Sequence, residues 1–318
     1  MRLLRNLTFV MSVLALAVAA PLFGQDIVSK ALSSFPADTV RLEFSSPSTL
    51  RKLPNYASLR EHYMGPRLKK LVDTMGELGV AEKDVDQLVL GWSTDGSNVN
   101  LYGFASGHFR PDVLDQRAAV RNIPPQPIGS KTGYCLGAGL GTECVVVLGP
   151  NEGAFGTLNT LSQIMSALDS GGGGLESNTA FANVVKQEES GAAPIWGVAV
   201  ASAVASWFKG WMPGQNEVAL DWGKVFEGVD MLGYRIQTGS SIQLDLKMFC
   251  KSDNDAASLR QVLEGLKLAQ QIAWQNQYPN QPNPFQAMGL TQTGDQIGIT
   301  LVASYSEIGG AVTGTASQ

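Results

Sequence analysis

Histidine is nearly missing from this chain: its 318 residues hold only His62 and His108. The two are far apart in sequence and form neither a His-x-x-x-His nor a His-Glu-x-x-His pattern, so the usual helical zinc spacing is absent. No Gly-x-Ser-x-Gly elbow occurs, and a serine triad would have to draw on this pair of histidines. Charge is also sparse, at 16% of residues with a formal net charge of −5. That balance repels phosphate backbones, and no basic stripe offsets it, which argues against nucleic acid as a partner. The glycine-rich stretch Gly149 to Thr157 contains no lysine, so it lacks the Gly-Lys-Ser/Thr core of a phosphate loop. Beyond residue 20 no apolar run is long enough to cross a bilayer, so no stable membrane insertion is expected after processing.

The N-terminus has what the rest lacks. Met1 to Arg5 is basic, Leu7 to Ala20 is almost wholly apolar, and Ala17-Val18-Ala19 supplies a small-x-small cleavage pattern. Residues 1–24 therefore read as a signal peptide, which places the protein in the periplasm or outside the cell. Removing Arg2 and Arg5 would take the formal charge from −5 to −7.

Export permits disulfides, and there are three cysteines. Cys135 and Cys144 flank Leu136 to Glu143. If Gly139-Leu140 forms a two-residue hairpin loop, counting outward pairs 138 with 141 and then 135 with 144. The loop-closing pair is hydrogen-bonded and pairs alternate from there, so the cysteines meet at a non-hydrogen-bonded position, where side chains come closest. A cross-strand Cys135–Cys144 disulfide is expected, against the alternative of two free thiols on one sheet face. Cys250 reads as a buried free thiol. The same hairpin reading rejects Gly137-Ala138-Gly139-Leu140-Gly141 as a dinucleotide fingerprint, because strand rather than helix follows it. No cofactor is implied. Asp253-Asn254-Asp255 echoes a calcium loop but has Ser258 where that loop needs glycine; Ser252 with Asp255 makes a helix capping box instead.

Alternation and turn signals give the organisation. Val85-Asp86-Gln87-Leu88 runs through Asp95-Gly96 into Val99-Asn100-Leu101, and Val229-Asp230-Met231-Leu232 runs through Thr238-Gly239 into Ile242-Gln243-Leu244. Each reads as a β-hairpin followed by helix. Pro150 to Leu168 reads as helix, Pro124 to Pro127 as loop, and Asp253 to about Gln275 as a long capped helix. The expected fold is α+β: two pseudo-repeated ferredoxin-like modules of order β-α-β-β-α-β-β, with antiparallel sheets and helices on one face. They would span residues 36–192 and 193–308, with a flexible tail over 309–318.

The modules differ in aromatic content. Trp196, Trp207, Trp211, Trp222 and Trp274 lie in the second, and only Trp92 in the first. Trp207 and Trp211 stand four apart on one helix face, either packed in the core or forming a platform for a protein or glycan partner.

The Pro36-Ala37-Asp38-Thr39-Val40 start, the paired Val-Asp-x-Leu hairpins, Val145 to Gly149 and Ala193-Pro194-Ile195-Trp196-Gly197-Val198 resemble a class of exported bacterial proteins of unknown function with duplicated α+β modules. The resemblance implies no catalytic residues. The reading is an exported, non-catalytic binding or scaffolding protein. Two alternatives stay open: a carboxylate-dependent hydrolase acting on envelope or extracellular glycans, and a carrier holding a small ligand between the modules.

Overall fold

The computed structural model describes residues 23–54, 56, 57, 60, 66–95, 98–203, 221–277, 279, 280 and 282–305. Residues 1–22 of the expected 1–24 signal peptide, the tail over 309–318 and the stretch holding Trp207 and Trp211 lie outside them.

The strands are β1 (Arg41–Ser45), β2 (Val85–Asp95), β3 (Asn98–Gly107), β4 (Pro125–Ile128), β5 (Lys131–Cys135), β6 (Glu143–Gly149), β7 (Glu152–Thr157), β8 (Ile195–Val200), β9 (Val229–Thr238), β10 (Ile242–Cys250), β11 (Gly289–Thr293) and β12 (Gln296–Ala303). They form one sheet in the order β11-β12-β10-β9-β8-β1-β2-β3-β7-β6-β5-β4. Every pairing is antiparallel. The antiparallel α+β class stands, but two ferredoxin-like sheets do not. A split βαβ module would place its first strand between its third and fourth; here β8 lies between β1 and β9. The segments over 36–192 and 193–308 share one ladder, joined where Phe44 pairs with Trp196.

The helices are α1 (Phe23–Ser34), α2 (Pro47–Leu50), α3 (Pro66–Glu77), α4 (Pro111–Val120), α5 (Leu158–Ser170), α6 (Thr179–Glu189), α7 (Trp222–Val225) and α8 (Asp253–Gln277). They cover both faces of the sheet, which corrects the expectation of one. The register proves it. Val198 and Ala199 are neighbours on β8 and so point to opposite faces. Val198 joins a core with Leu42, Phe44, Tyr102 and Phe104 beneath α1, α5 and α6. Ala199 joins Leu232, Leu246, Met248, Ile297 and Ile299 beneath α8. On that second face, further along, Leu90, Leu101, Val145 and Phe155 pack under α3 and α4.

The strands follow from this layering. Cys144, Val145 and Val146 are consecutive in β6 and all three are buried, because helices cover that strand on both sides. In β10 buried Leu244, Leu246 and Met248 alternate with half-buried Gln243, Asp245 and Lys247, because among the described residues only one face carries a helix. Two strands depart from the sequence reading. Residues expected to open a helix at Pro150 instead form β7, and α5 begins only at Leu158, capped by Thr157. Glycines at 153 and 156 lower strand propensity, but the burial of Ala154 and Phe155 between β3 and β6 outweighs it. The proline run expected as loop contains β4, at the sheet's edge, where a missing N–H costs no ladder bond.

Glycine has a particular use here. Gly91 pairs with Tyr102, Gly103 with Phe155, and Gly197 with Tyr234. In each case a Cβ on the glycine would stand 2.3 to 2.6 Å from the partner's ring. The rings therefore lie across the glycines, filling the space a side chain would take.

Candidate functional site

The middle of the sheet carries a polar cluster on the face shared by α3, α4 and α8. Register builds it: Glu43 on β1 pairs with Gly197 on β8, and Gly197 pairs with Tyr234 on β9. Because Gly197 has no side chain, Tyr234 lies over β8 and its hydroxyl donates to Glu43 Oε2, two strands away. Arg41, two residues before Glu43 and so on the same face, donates from Nη2 to Glu43 and, at 3.2 Å, to the Tyr234 oxygen. Its guanidinium sits 4.4 Å from the centre of the paired Trp92 ring.

Burial works against the charge on Arg41, but the Tyr234 and Glu43 oxygens outweigh it and hold its pKa above the ordinary arginine value. Burial likewise pushes the Tyr234 phenol up; Arg41 opposes that and Glu43 adds to it. The phenol is thus neutral at all physiological pH and acts as a hydrogen-bond donor, not as a base. Arg41 Nε is buried without a hydrogen-bond partner among the described residues. The cluster ties β1, β8 and β9 across the place where the halves of the chain meet. Its groups are engaged with one another, so it clamps the sheet rather than presenting a reactive atom.

A second buried charge lies on the opposite face. Glu188, near the end of α6, is 2% exposed. Its Oε2 meets Arg235 Nε at 2.8 Å, and Oε1, above Gly233, has no hydrogen-bond partner among the described residues. Burial raises the Glu188 pKa, with Arg235 pulling it back. Arg235 also donates to the Glu188 and Gln187 carbonyls, fastening the end of α6 to β9.

Past that fastening no helix among the described residues lies on this face. Register places Arg235, Asp245, Lys247, Gln243, Thr300 and Thr291 on one face of β9 to β12. The helix that packs on β10, β12 and β11 is α8, on the other face. Thr300 and Thr291 are exposed, and Val302 is 42% exposed beside them. The result is an open, polar half-sheet with charges of both signs.

Cys135 and Cys144 stand opposite each other, with Cα atoms 4.0 Å apart and sulfurs bonded at 2.06 Å. Leu136 N–H donates to Glu143 O at 2.9 Å, so the adjoining pair toward the turn is hydrogen-bonded and the cysteines occupy the close position. The turn itself is closed by Thr142 N–H donating to Gly139 O, one residue along from the expected loop. Cys250 is buried and free, and burial pushes its thiol up to about 11, which keeps it unreactive. Of the tryptophans, Trp196 is buried and stacks on Phe44 at 5.5 Å, and Trp274 packs against Phe285. Neither could serve as an exposed platform.

A further polar cluster joins Glu82 to the Tyr56 hydroxyl and the Arg60 guanidinium, all engaged with one another. His108 is exposed, 3.8 Å from Asp86. It borders a depression of about 340 Å³ with Asp84 and Arg110; a neighbouring one of about 400 Å³ holds Asp115, bonded to the Tyr134 hydroxyl. Each has a single carboxylate, and both lie beside α4 rather than where the halves meet. Among the described residues no group of three or more His, Cys, Asp or Glu side chains could hold a metal. The clamp and the open half-sheet were missed by sequence reasoning. The signal for the first was a strand glycine facing a tyrosine, which only the register reveals.

No protein-family model matches the chain, and no curated protein matches it. Among solved structures it is similar to crystal form III of TP0453, with 8% identity and a TM-score of 0.48 over 86% of this chain and 94% of that one. Crystal form I of the same protein gives 7% identity and a TM-score of 0.48, over 90% and 96%. No helix among the described residues is long and apolar enough to cross a membrane.

Proposed function

We propose that this is an exported, non-catalytic binding protein that engages a protein partner through the open face of β9 to β12. The observation that carries the reading is that, among the described residues, the helix layer ends at the Glu188–Arg235 pair, with Gln243, Asp245, Lys247 and Thr300 beyond it. A sheet face that no described helix covers, with charges of both signs, suits an extended macromolecular surface, whereas a small ligand needs a pocket around it. The charges of both signs supply orientation, and Val302 adds apolar area beside them. The leader-like N-terminus supports an envelope or extracellular setting for that partner.

The test is site-specific photo-crosslinking in the producing cell, with the crosslinker at Thr300 on the open face or at Lys131 at the far end of the sheet. A discrete crosslinked protein is expected from Thr300 and not from Lys131. Equal labelling at both positions, or none at Thr300, overturns the reading.

A further inference from the structure

Register relates the two halves of the sheet. Outward from the β1–β8 pairing, one half runs β1-β2-β3-β7-β6 and the other β8-β9-β10-β12-β11, the same succession of strands. The match reaches single residues. In β2–β3, Val85 pairs with Gly107 and Gln87 with Ser106, which leaves Asp86 in a bulge; in β9–β10, Val229 pairs with Cys250 and Met231 with Phe249, which leaves Asp230 in the same place. Leu90 stands to Val85 as Tyr234 stands to Val229. The first pairs with Glu43 and the second with Gly197, so Glu43 and Gly197 are counterparts. They also pair with each other. A local two-fold axis normal to the sheet passes between them, and each face of one half continues as the same face of the other.

The counterparts differ on one face. Val89, Phe104 and Ala154 make a row across β2, β3 and β7, and all three are buried in the core beneath α1, α5 and α6. Their counterparts, Gly233, Lys247 and Gly298, make the same row across β9, β10 and β12 on the open half-sheet. The helix α6 precedes β8 as α1 precedes β1. After β7 comes α5, whose buried Leu161, Ile164 and Met165 share the core with Phe104 and Ala154; after β12 the described residues hold no such helix. Residues 306–318 include Gly309, Gly310 and Gly314 and no leucine or methionine, a composition poorly suited to replace it. Thr291 and Thr300 are exposed at that place.

We infer, resting on the partner reading given for this face, that the partner seats an α-helix there, lying as α5 lies in the other half and bringing an acidic side chain to Lys247. A row that carries a packed helix in one half offers a helix the same twisted surface in the other. An added strand would need a sheet edge, and β9, β10 and β12 are all interior strands. Lys247 selects the acid. It stands where Phe104 stands, and among the described residues it makes no hydrogen bond or ion pair. The other charges beside it are engaged: Arg235 is held by Glu188 and the end of α6, and Asp245 by Gln243 and Thr300.

The test places a photo-crosslinker at Thr291 and, separately, at Thr300 of the full chain in the producing cell, and maps the partner residues it reaches by mass spectrometry. Linked partner residues are expected three or four apart, within one segment that holds Asp or Glu. Lys247→Gln, or Lys247→Met should the amide unfold the chain, is expected to lower the Thr300 yield about tenfold, the loss of one charged hydrogen bond. Lys247→Arg should stay near wild type, and Lys131→Gln, at the far end of the sheet, should change nothing. Linked residues two apart, or scattered over several segments, overturn the helix while leaving a partner on the open face. Linkage to residues 306–318 of the chain itself puts its own tail in that place and overturns the helix too. A yield untouched by the Lys247 variants overturns the acidic contact, and no linked protein at either position overturns both readings.

Discussion

Replacing Gly197 with alanine tests the central clamp directly. The added Cβ would stand 2.6 Å from the Tyr234 Cζ and hydroxyl oxygen, well inside contact distance. The ring is 3% exposed and cannot swing into solvent freely, so it must shift within a packed sheet. Overpacking of this kind costs about 1–3 kcal/mol. Displacing the ring also disturbs the hydroxyl's bonds to Glu43 and Arg41, and bonds to charged groups are each worth about 1.5–3 kcal/mol. Alanine returns about 0.5–1 kcal/mol through the lower chain entropy of the unfolded state. The net expectation is a loss of about 2–5 kcal/mol, read as a lower urea midpoint at unchanged slope. Gly239→Ala, with nothing within 4 Å of its Cβ, is the control and should move the midpoint little. The decisive comparison is Gly197→Ala in a Tyr234→Leu background. Without the ring's outer atoms the alanine should be neutral or mildly stabilising, giving a large coupling between the sites. An equal cost in both backgrounds would refute the claim that the glycine exists to admit the tyrosine.

Two further expectations follow from the same geometry. Non-reducing peptide mapping of the exported protein should find Cys135 linked to Cys144, and Cys135→Ser with Cys144→Ser should cost about 2.5 kcal/mol for so short a loop, with Cys250 remaining free. Glu188, whose pKa is raised in the folded state by burial, stabilises the fold most below the ordinary glutamate value of about 4.3 and progressively less as pH climbs through its raised value. Urea midpoints measured from about pH 4 to about pH 7 should fall less in Glu188→Gln than in wild type, since the amide keeps an acceptor for Arg235 without the buried charge; parallel profiles would contradict this.

What the sequence made legible was local. The β2–β3 and β9–β10 hairpins were readable because polar and apolar residues alternate through them and turn residues separate the strands. The start of α8 was readable because Ser252 accepts from the Asp255 N–H, as the capping spacing requires. Cys135 and Cys144 are opposed as the count from a Gly139-Leu140 loop expected, although the turn closes one residue along, between Gly139 and Thr142. What was hidden was pairing between distant strands and the packing that overrides local preference. Glu152 to Thr157 looks unlike a strand until Phe155 is seen lying on Gly103. Nothing local in Leu42 or Val198 says that they are opposite each other, yet that contact turns two expected sheets into one. The half-sheet was hidden for a related reason. A polar residue such as Thr300 looks alike on a covered and an open sheet, and only the stopping point of α6 distinguishes them.

The position of β1 has a consequence for how the chain reaches this state. Phe44 waits roughly 150 residues for Trp196, so the pairing that unites the sheet is also among its most remote in sequence. Until β8 emerges, β1 is a strand with one side vacant, and its Leu42 and Phe44 lack part of their burial. Closure at this place should be the slow, late event of folding. A nascent or partly exported chain would expose a sticky strand at the middle of the future sheet, rather than at its finished ends.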